Sequence, residues 1–122
     1  MLKVINLAGF LQEISPLLSL RLKRSLHFGW SGSLGLKGSR LNATLMIDSH
    51  GNIKVEDIPP ENADICIITT DSIITSLVSC DGDMWESYKH NLLSVKPVYS
   101  ERIRNLIESL FPVLPTKQGG WW

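Results

Sequence analysis

Alternation of apolar and polar side chains predicts a strand hairpin in the middle of the chain. Apolar positions alternate with polar ones through residues 41–47 and again through residues 53–56. A period of two is typical of a strand with one buried face. The turn between the two runs contains Gly51, a residue that readily adopts a positive φ. A third strand is predicted at residues 63–69, where four consecutive apolar residues indicate burial on both faces.

Apolar residues at helical spacing predict a helix near each end of the chain and two between them. Asn6 is a suitable N-cap for the first helix, and Ser15-Pro16 is expected to kink that helix or restart it. Thr70 caps the second helix, a short third helix lies near Trp85, and Ser100 caps the last. The last helix carries an apolar stripe of Ile103, Leu106, Ile107, Leu110 and Phe111.

Two further segments complete the predicted order of elements. Residues 29–38 contain four glycines but match neither phosphate-binding glycine pattern, so we predict an edge strand with close backbone approaches over most of this stretch. A short strand is expected at residues 92–95, before Pro97. The order predicts a small α+β domain, with an antiparallel-rich sheet and helices packed on one face.

Length and composition predict a single folded domain over residues 1–122, with a C-terminal tail at 111–122. The chain is 43% apolar and 20% charged, which is enough apolar material for a core without disulfide or metal support. We find no apolar run of membrane-spanning length and no signal peptide. A soluble, cytoplasmic protein is therefore expected.

Charge is distributed unevenly although the formal net charge is zero. Residues 1–40 carry six basic side chains against Glu13 alone, and residues 41–122 carry six against eleven acidic ones. This asymmetry could orient the domain against a partner or a neighbouring domain. It does not indicate nucleic-acid binding, because the basic residues are few and lack interleaved aromatic residues.

Sharp catalytic or metal-binding motifs are absent from the sequence. His27, His50 and His90 lie far apart, and neither Cys66 nor Cys80 has a metal ligand at useful spacing. There is no serine nucleophile elbow. We therefore predict no metal, no cofactor and no independent enzymatic activity.

The surplus of apolar residues around a small sheet leaves two interpretations open. One is a solid core, and the other is a hollow cavity that takes a lipid tail. Composition does not separate them, because the lining of a cavity and the filling of a core use the same residues. The candidate ligand-binding residues are Met46, Ile74, Leu77, Val78, Trp85, Leu106 and Leu110.

Several segments resemble the sterol-carrier-protein-like domains at the C-terminal end of certain GNAT acetyltransferases. The resemblance begins with the Ala-Asp, apolar strand and second Asp of residues 63–71, and continues through residues 73–78 and 103–112. The opening residues 2–18 and the hairpin at 41–55 fit the same layout. The chain has no acetyl-CoA pyrophosphate loop and no room for an acetyltransferase domain.

This resemblance implies a sheet covered by helices around an apolar groove for lipid. It also implies an acetyltransferase domain as a partner in cis or in trans, and acetyl-CoA would be a cofactor only with that domain attached. In such enzymes the terminal carboxylate serves as a general base, which here would belong to Trp122, behind Gly119-Gly120-Trp121. The sequence leaves two hypotheses: the C-terminal domain of an acetyltransferase, or a stand-alone carrier of an apolar molecule.

Overall fold

Five strands and four helices make up residues 6–25 and 30–113, the part of the chain that the computed structural model describes. The helices are α1 (Leu7–Lys23), α2 (Asp71–Val78), α3 (Met84–Lys89) and α4 (Glu101–Leu110), and a 3-10 helix spans Pro60–Asn62. The strands are β1 (Gly32–Lys37), β2 (Asn42–Ile47), β3 (Ile53–Glu56), β4 (Ile65–Thr69) and β5 (Leu93–Lys96). The predicted α+β class, the hairpin and the four helices are confirmed.

The strands form one sheet in the order β3-β2-β1-β4-β5. β1 pairs in parallel with β4, and the other three pairings are antiparallel. The glycine-rich strand therefore lies at the centre, and the prediction of an edge strand there was wrong. The predicted close backbone approach is confirmed, since the backbone of Pro60 crosses directly over Gly35.

The register divides the sheet into an inner face and an outer face. Leu34 of β1 is level with Leu45 of β2 and Ile65 of β4, so these side chains share the inner face. α1 packs against β2, β3 and α4, and α3 packs against α4 and β5. On the outer face, the segment with the 3-10 helix crosses β1, and the buried Thr44 hydroxyl donates to the Ile58 carbonyl at 2.6 Å.

α1 continues through Pro16 and does not restart there. A proline at this position lacks the N–H that would bond to the carbonyl four residues earlier. That carbonyl belongs to Gln12, and the Ser15 hydroxyl donates to it at 2.9 Å. The neighbouring serine therefore replaces the missing donor.

Three predicted helix caps are confirmed by their hydrogen bonds. The Asn6 side chain accepts from the Gly9 N–H at 3.1 Å, and Thr70 accepts from the Ile73 N–H at 3.2 Å. Ser100 caps α4 in the same way. None of the helices in the described part of the chain is both long and apolar enough to cross a membrane.

The Asp71 carboxylate holds the turn between β1 and β2. It accepts from the backbone N–H groups of Arg40 and Leu41, both at 3.0 Å. These two bonds, that of Arg40 first, lower the pKa of Asp71 from its usual 3.8. A carboxyl group whose pKa is lowered by folding stabilises the protein at pH values above its unfolded-state pKa. This stabilisation is lost as the pH falls through the folded-state pKa.

We expect Asp71→Asn to lower the melting temperature at about pH 6, where the wild-type carboxylate is charged. The difference from wild type should shrink as the pH falls below 3.8 toward the lower folded-state pKa, because the wild-type side chain then also becomes neutral. Thermal unfolding followed by circular dichroism measures this. The exposed Asp57, changed to Asn, is the matched control. A pH-independent difference would contradict the assignment.

Candidate functional site

An apolar depression opens where β1 and β4 begin, beside the first turn of α4. It encloses about 230 Å³. We call it the Trp30 depression, and its lining consists of Trp30, Ile65, Ser100, Arg102, Ile103 and Leu106.

Gly32 and Asp64 build the side of the depression that carries Trp30. A Cβ atom on Gly32 would lie 2.9 Å from the Trp30 ring and 3.0 Å from the Asp64 carboxylate, so the indole lies directly against this glycine. The Asp64 carboxylate accepts from the Ser33 N–H at 2.9 Å, and the Ser33 hydroxyl accepts from the Asp64 N–H at 2.8 Å. This reciprocal pair fixes β1 to β4 at the opening.

The first turn of α4 builds the opposite side. Ser100 accepts from the Ile103 N–H at 3.3 Å and so sets where the helix begins. Ile103 and Leu106 are three residues apart and share one helix face, with 9% and 3% of their surface exposed. Arg102 is exposed and forms no ion pair with any residue that the structure describes.

The lining of the Trp30 depression combines apolar side chains with polar and charged groups. Its walls are two aliphatic side chains of α4, one of β4 and an indole, and its rim carries the cation of Arg102. No group of three metal-ligating side chains occurs among residues 6–25 and 30–113. This arrangement suits an alkyl chain with an anionic head.

The structure brings only one of the predicted ligand-binding residues to this depression, namely Leu106. Four others fill the hydrophobic core with at most 3% of their surface exposed: Ile74, Leu77, Val78 and Leu110. Met46 is level with Ser33, on the outer face of the sheet, and is separated from the rest. Trp122 lies outside the described residues.

Trp85 belongs to an aromatic cluster on α3 and the segment before α4. Its ring is 6.2 Å from Tyr88 and 5.9 Å from Tyr99, and the two tyrosine rings stack at 3.8 Å. The Arg104 guanidinium lies 5.2 Å from the Trp85 ring centre and donates to Glu108 at 3.0 Å, which raises the pKa of Arg104. Burial raises the pKa of Tyr99. The cluster fixes α3 against α4.

A larger depression, of about 470 Å³, lies beside the edge strand β5. Polar side chains and exposed positions make up most of its lining: Ile68, Tyr88, Lys89, Asn91, Leu92, Leu93 and Ser94. Polar groups make up a larger share of its lining than of the lining of the Trp30 depression. The smaller Trp30 depression is therefore the better candidate for an apolar ligand.

Sequence reasoning missed Trp30, Ile65 and Ile103 as site residues. Ile103 was assigned to an apolar stripe, and Ile65 to a buried strand. Their meeting depends on the parallel pairing of β1 with β4, which places Leu34 level with Ile65. Trp30 inside the glycine-rich stretch 29–38 was the available signal, because a large aromatic residue there needs a surface to pack on.

Comparisons with known proteins identify the fold. No family model matches the sequence, and no curated protein matches it. Among solved structures, the chain is similar to the "UbiJ-SCP2 Ubiquinone synthesis protein", with 16% identity and a TM-score of 0.56 over 80% of this chain and 90% of that one.

Two further matches support the same fold. Sterol carrier protein 2 from Yarrowia lipolytica, in its apo form, has 15% identity and a TM-score of 0.51 over 91% of this chain and 98% of that one. Palmitated SCP2L2 from Aedes aegypti has 8% identity and a TM-score of 0.56 over 87% and 95%. The chain therefore has the sterol carrier protein 2 fold, as the resemblance in the sequence implied.

Proposed function

We propose that this chain is a non-enzymatic carrier domain that binds a long-chain fatty acid, or a similar anionic amphipathic molecule, in the Trp30 depression. The observation that carries the proposal is the combination of apolar wall residues with the exposed Arg102 at the rim. The alkyl chain would contact Ile65, Ile103 and Leu106, and the carboxylate would lie beside Arg102. Burial of each methylene contributes about 0.8 kcal/mol.

The volume of the depression limits how much of a ligand it can enclose in the described conformation. Sites for small molecules usually enclose about 300–1,000 Å³, so 230 Å³ takes only part of a long alkyl chain. The inner face of α4 continues from Leu106 to the fully buried Leu110. A longer chain would extend along this face and displace α4 from its contacts with α1 and α3.

The fold neighbours support a carrier role without assigning it. One of them is palmitated, and others are described as sterol carrier proteins. At 8–16% identity these likenesses concern the fold. The ligand class proposed for this chain therefore depends on the lining of its own depression.

A second proposal, the acetyltransferase-linked role, comes from the sequence resemblance. In it, the domain packs against a catalytic domain and the carboxylate of Trp122 acts as a general base in acetyl transfer. An acetyltransferase domain as a partner in cis or in trans stays a prediction, and so does a homo-oligomer. The carrier and the acetyltransferase roles differ in what they require of residues 114–122. Only the acetyltransferase role requires these residues to enter the active site of a catalytic domain.

Titration with a fluorescent fatty acid, cis-parinaric acid, and with its methyl ester tests the carrier role. We expect saturable one-to-one binding of the acid. Arg102→Gln should weaken binding of the acid about two- to fivefold and leave the ester unchanged, because an exposed ion pair contributes about 0.2–1 kcal/mol. Arg40→Gln, at the opposite end of β1, is the matched control. Absence of saturable binding to the wild-type chain would refute the proposal.

A further inference from the structure

The C-terminal end of α4 is held by a side chain of α1. A helix leaves its last carbonyl groups without partners inside the helix, and its C-terminus carries a partial negative charge. In α4 the Arg21 guanidinium donates to the Leu110 carbonyl, the last of the helix, at 2.9 Å. The same nitrogen, Nη1, also donates to Sγ of Cys80 at 3.6 Å, two residues beyond the end of α2. Arg21 therefore joins three helices at one point.

The Trp30 depression lies at the opposite end of α4. From Leu110 back to Ile103 is about 10 Å along the helix axis, at about 1.5 Å per residue. The aliphatic walls of the depression are nearly closed, since Ile65, Ile103 and Leu106 are 8%, 9% and 3% exposed. Enclosing more of an alkyl chain than the depression already takes therefore requires α4 to shift.

We propose that Arg21 is a positioning residue that limits how much of an alkyl chain the domain encloses. Because Arg21 holds Leu110, α4 pivots at its C-terminal end. The helix then opens beside Ile103 and Leu106 and stays on α1 beyond them, so that carbon atoms past this opening remain in water. The inference rests on the proposed carrier function and adds a preference for chain length to it.

The contact made by Arg21 is of a kind that resists displacement of α4. A hydrogen bond from a charged donor is about twice as strong as one between neutral groups. Arg21 is half-buried, and Leu18 and Leu22 on the same stretch of α1 are fully buried in the hydrophobic core. A ligand that separates α4 from α1 here has to open this part of the core and also remove the donor from the Leu110 carbonyl.

The dependence of affinity on chain length measures the limit that Arg21 imposes. Each enclosed methylene contributes about 0.8 kcal/mol, which is about fourfold in affinity. A methylene that stays in water contributes nothing. The affinity for a series of fatty acids should therefore rise with length until the opening is filled, and should be level beyond that length.

The test compares the wild-type chain with Arg21→Met, which keeps a long side chain and removes its donors. Decanoic, dodecanoic and hexadecanoic acids are used to displace cis-parinaric acid, and the displacement gives their Kd values. We expect wild type to bind dodecanoic and hexadecanoic acids within about twofold of each other, whereas Arg21→Met binds hexadecanoic acid about tenfold more tightly, or better, than dodecanoic acid. The Kd for decanoic acid should change by less than about threefold.

Arg24→Met is the matched control, because Arg24 is exposed and lies about one turn further along α1. It should show the wild-type dependence on chain length. Equal weakening of all three acids by Arg21→Met would mean that Arg21 only stabilises the fold, and this result would overturn the proposed limit. A wild-type affinity that rises up to hexadecanoic acid as steeply as that of the variant would overturn it as well.

Amide hydrogen exchange separates this proposal from the carrier function, because it needs no ligand. We expect Arg21→Met to accelerate exchange about fivefold or more at Leu110 and at Phe111, whose N–H bonds to the Ile107 carbonyl at 2.7 Å. Exchange at Leu45 in β2 should be unchanged. Unaltered exchange at the end of α4 overturns the role of Arg21. If exchange accelerates there but neither protein binds cis-parinaric acid, the hold on α4 is supported, and the carrier function fails together with the length limit.

Discussion

Replacing Gly35 with valine is expected to lower the free energy of unfolding by about 3 kcal/mol, the upper end of the usual range for an overpacked interior. A Cβ atom at this position would lie 2.5 Å from the Pro60 carbonyl oxygen and 2.8 Å from its Cα. Both are backbone atoms, so no change of rotamer relieves the overlap. Either the central strand or the crossing segment has to move.

Neither of them moves easily. Gly35 is level with Thr44 on one side and with Cys66 on the other, within the middle strand of the sheet. The crossing segment is held by the bond from the buried Thr44 hydroxyl to the Ile58 carbonyl. The Lys37 ammonium also bonds to Glu61 at 2.8 Å. The added methyl groups of valine therefore disturb both the central strand and the crossing segment, each of which is held in place by hydrogen bonds.

Urea denaturation followed by circular dichroism measures this loss, which should also lower the melting temperature by several degrees. Lys54→Val is the matched control, because Lys54 lies on the same face of the sheet in the edge strand β3 and is mostly exposed. We expect the control to stay within about 0.5 kcal/mol of wild type. A similarly small effect of Gly35→Val would show that the crossing segment is loose.

The sequence pattern predicted most of the secondary structure because alternation and helix caps depend on residues that are close together in the chain. The two-residue alternation of residues 42–47 predicted a strand, and the strand forms as expected. The prediction of a single buried face was wrong, because the segment that crosses the outer face also buries Thr44. The caps Asn6, Thr70 and Ser100 act on N–H groups only three residues away. Such contacts join residues that are neighbours in sequence, so they can be predicted without knowledge of the fold.

The place of β1 in the sheet could not be predicted in the same way. Glycine in a strand signals a close backbone approach, but it does not say whether solvent or another segment lies there. At Gly35 the approaching segment is Pro60, which is 25 positions further along the chain. The pattern is the same for an edge strand and for a central strand beneath a crossing segment.

The binding-site prediction was limited for a related reason. Ile74, Leu77, Val78 and Leu110 fill the core, and Leu106 lines a depression, yet all five are apolar residues of helices. What distinguishes Leu106 is its place beside Ile65 and Trp30, which the parallel pairing of β1 and β4 brings together. Pairing between strands that are far apart in sequence cannot be predicted from the local pattern of apolar residues. The outer-face position of Met46 follows from the same register.

Filling the Trp30 depression from within should abolish most of the proposed ligand binding. We expect Ile103→Phe to raise the Kd for cis-parinaric acid at least tenfold. Ile103 faces the depression from the first turn of α4 and is 9% exposed, so the phenyl ring has open space to enter. A ring that excludes two methylenes of the ligand removes about 1.6 kcal/mol, which is more than a tenfold change in affinity.

Val98→Phe is the matched control for this change, because it adds the same ring at a position that is 63% exposed and does not line the depression. Its Kd should stay within twofold of wild type. Melting temperatures of both variants check that the fold is retained, and Ile103→Phe should unfold near the wild-type temperature, since the ring enters existing space and does not overpack the core. A folded Ile103→Phe variant with unchanged affinity would place the ligand elsewhere, and the polar depression beside β5 would be the next site to test.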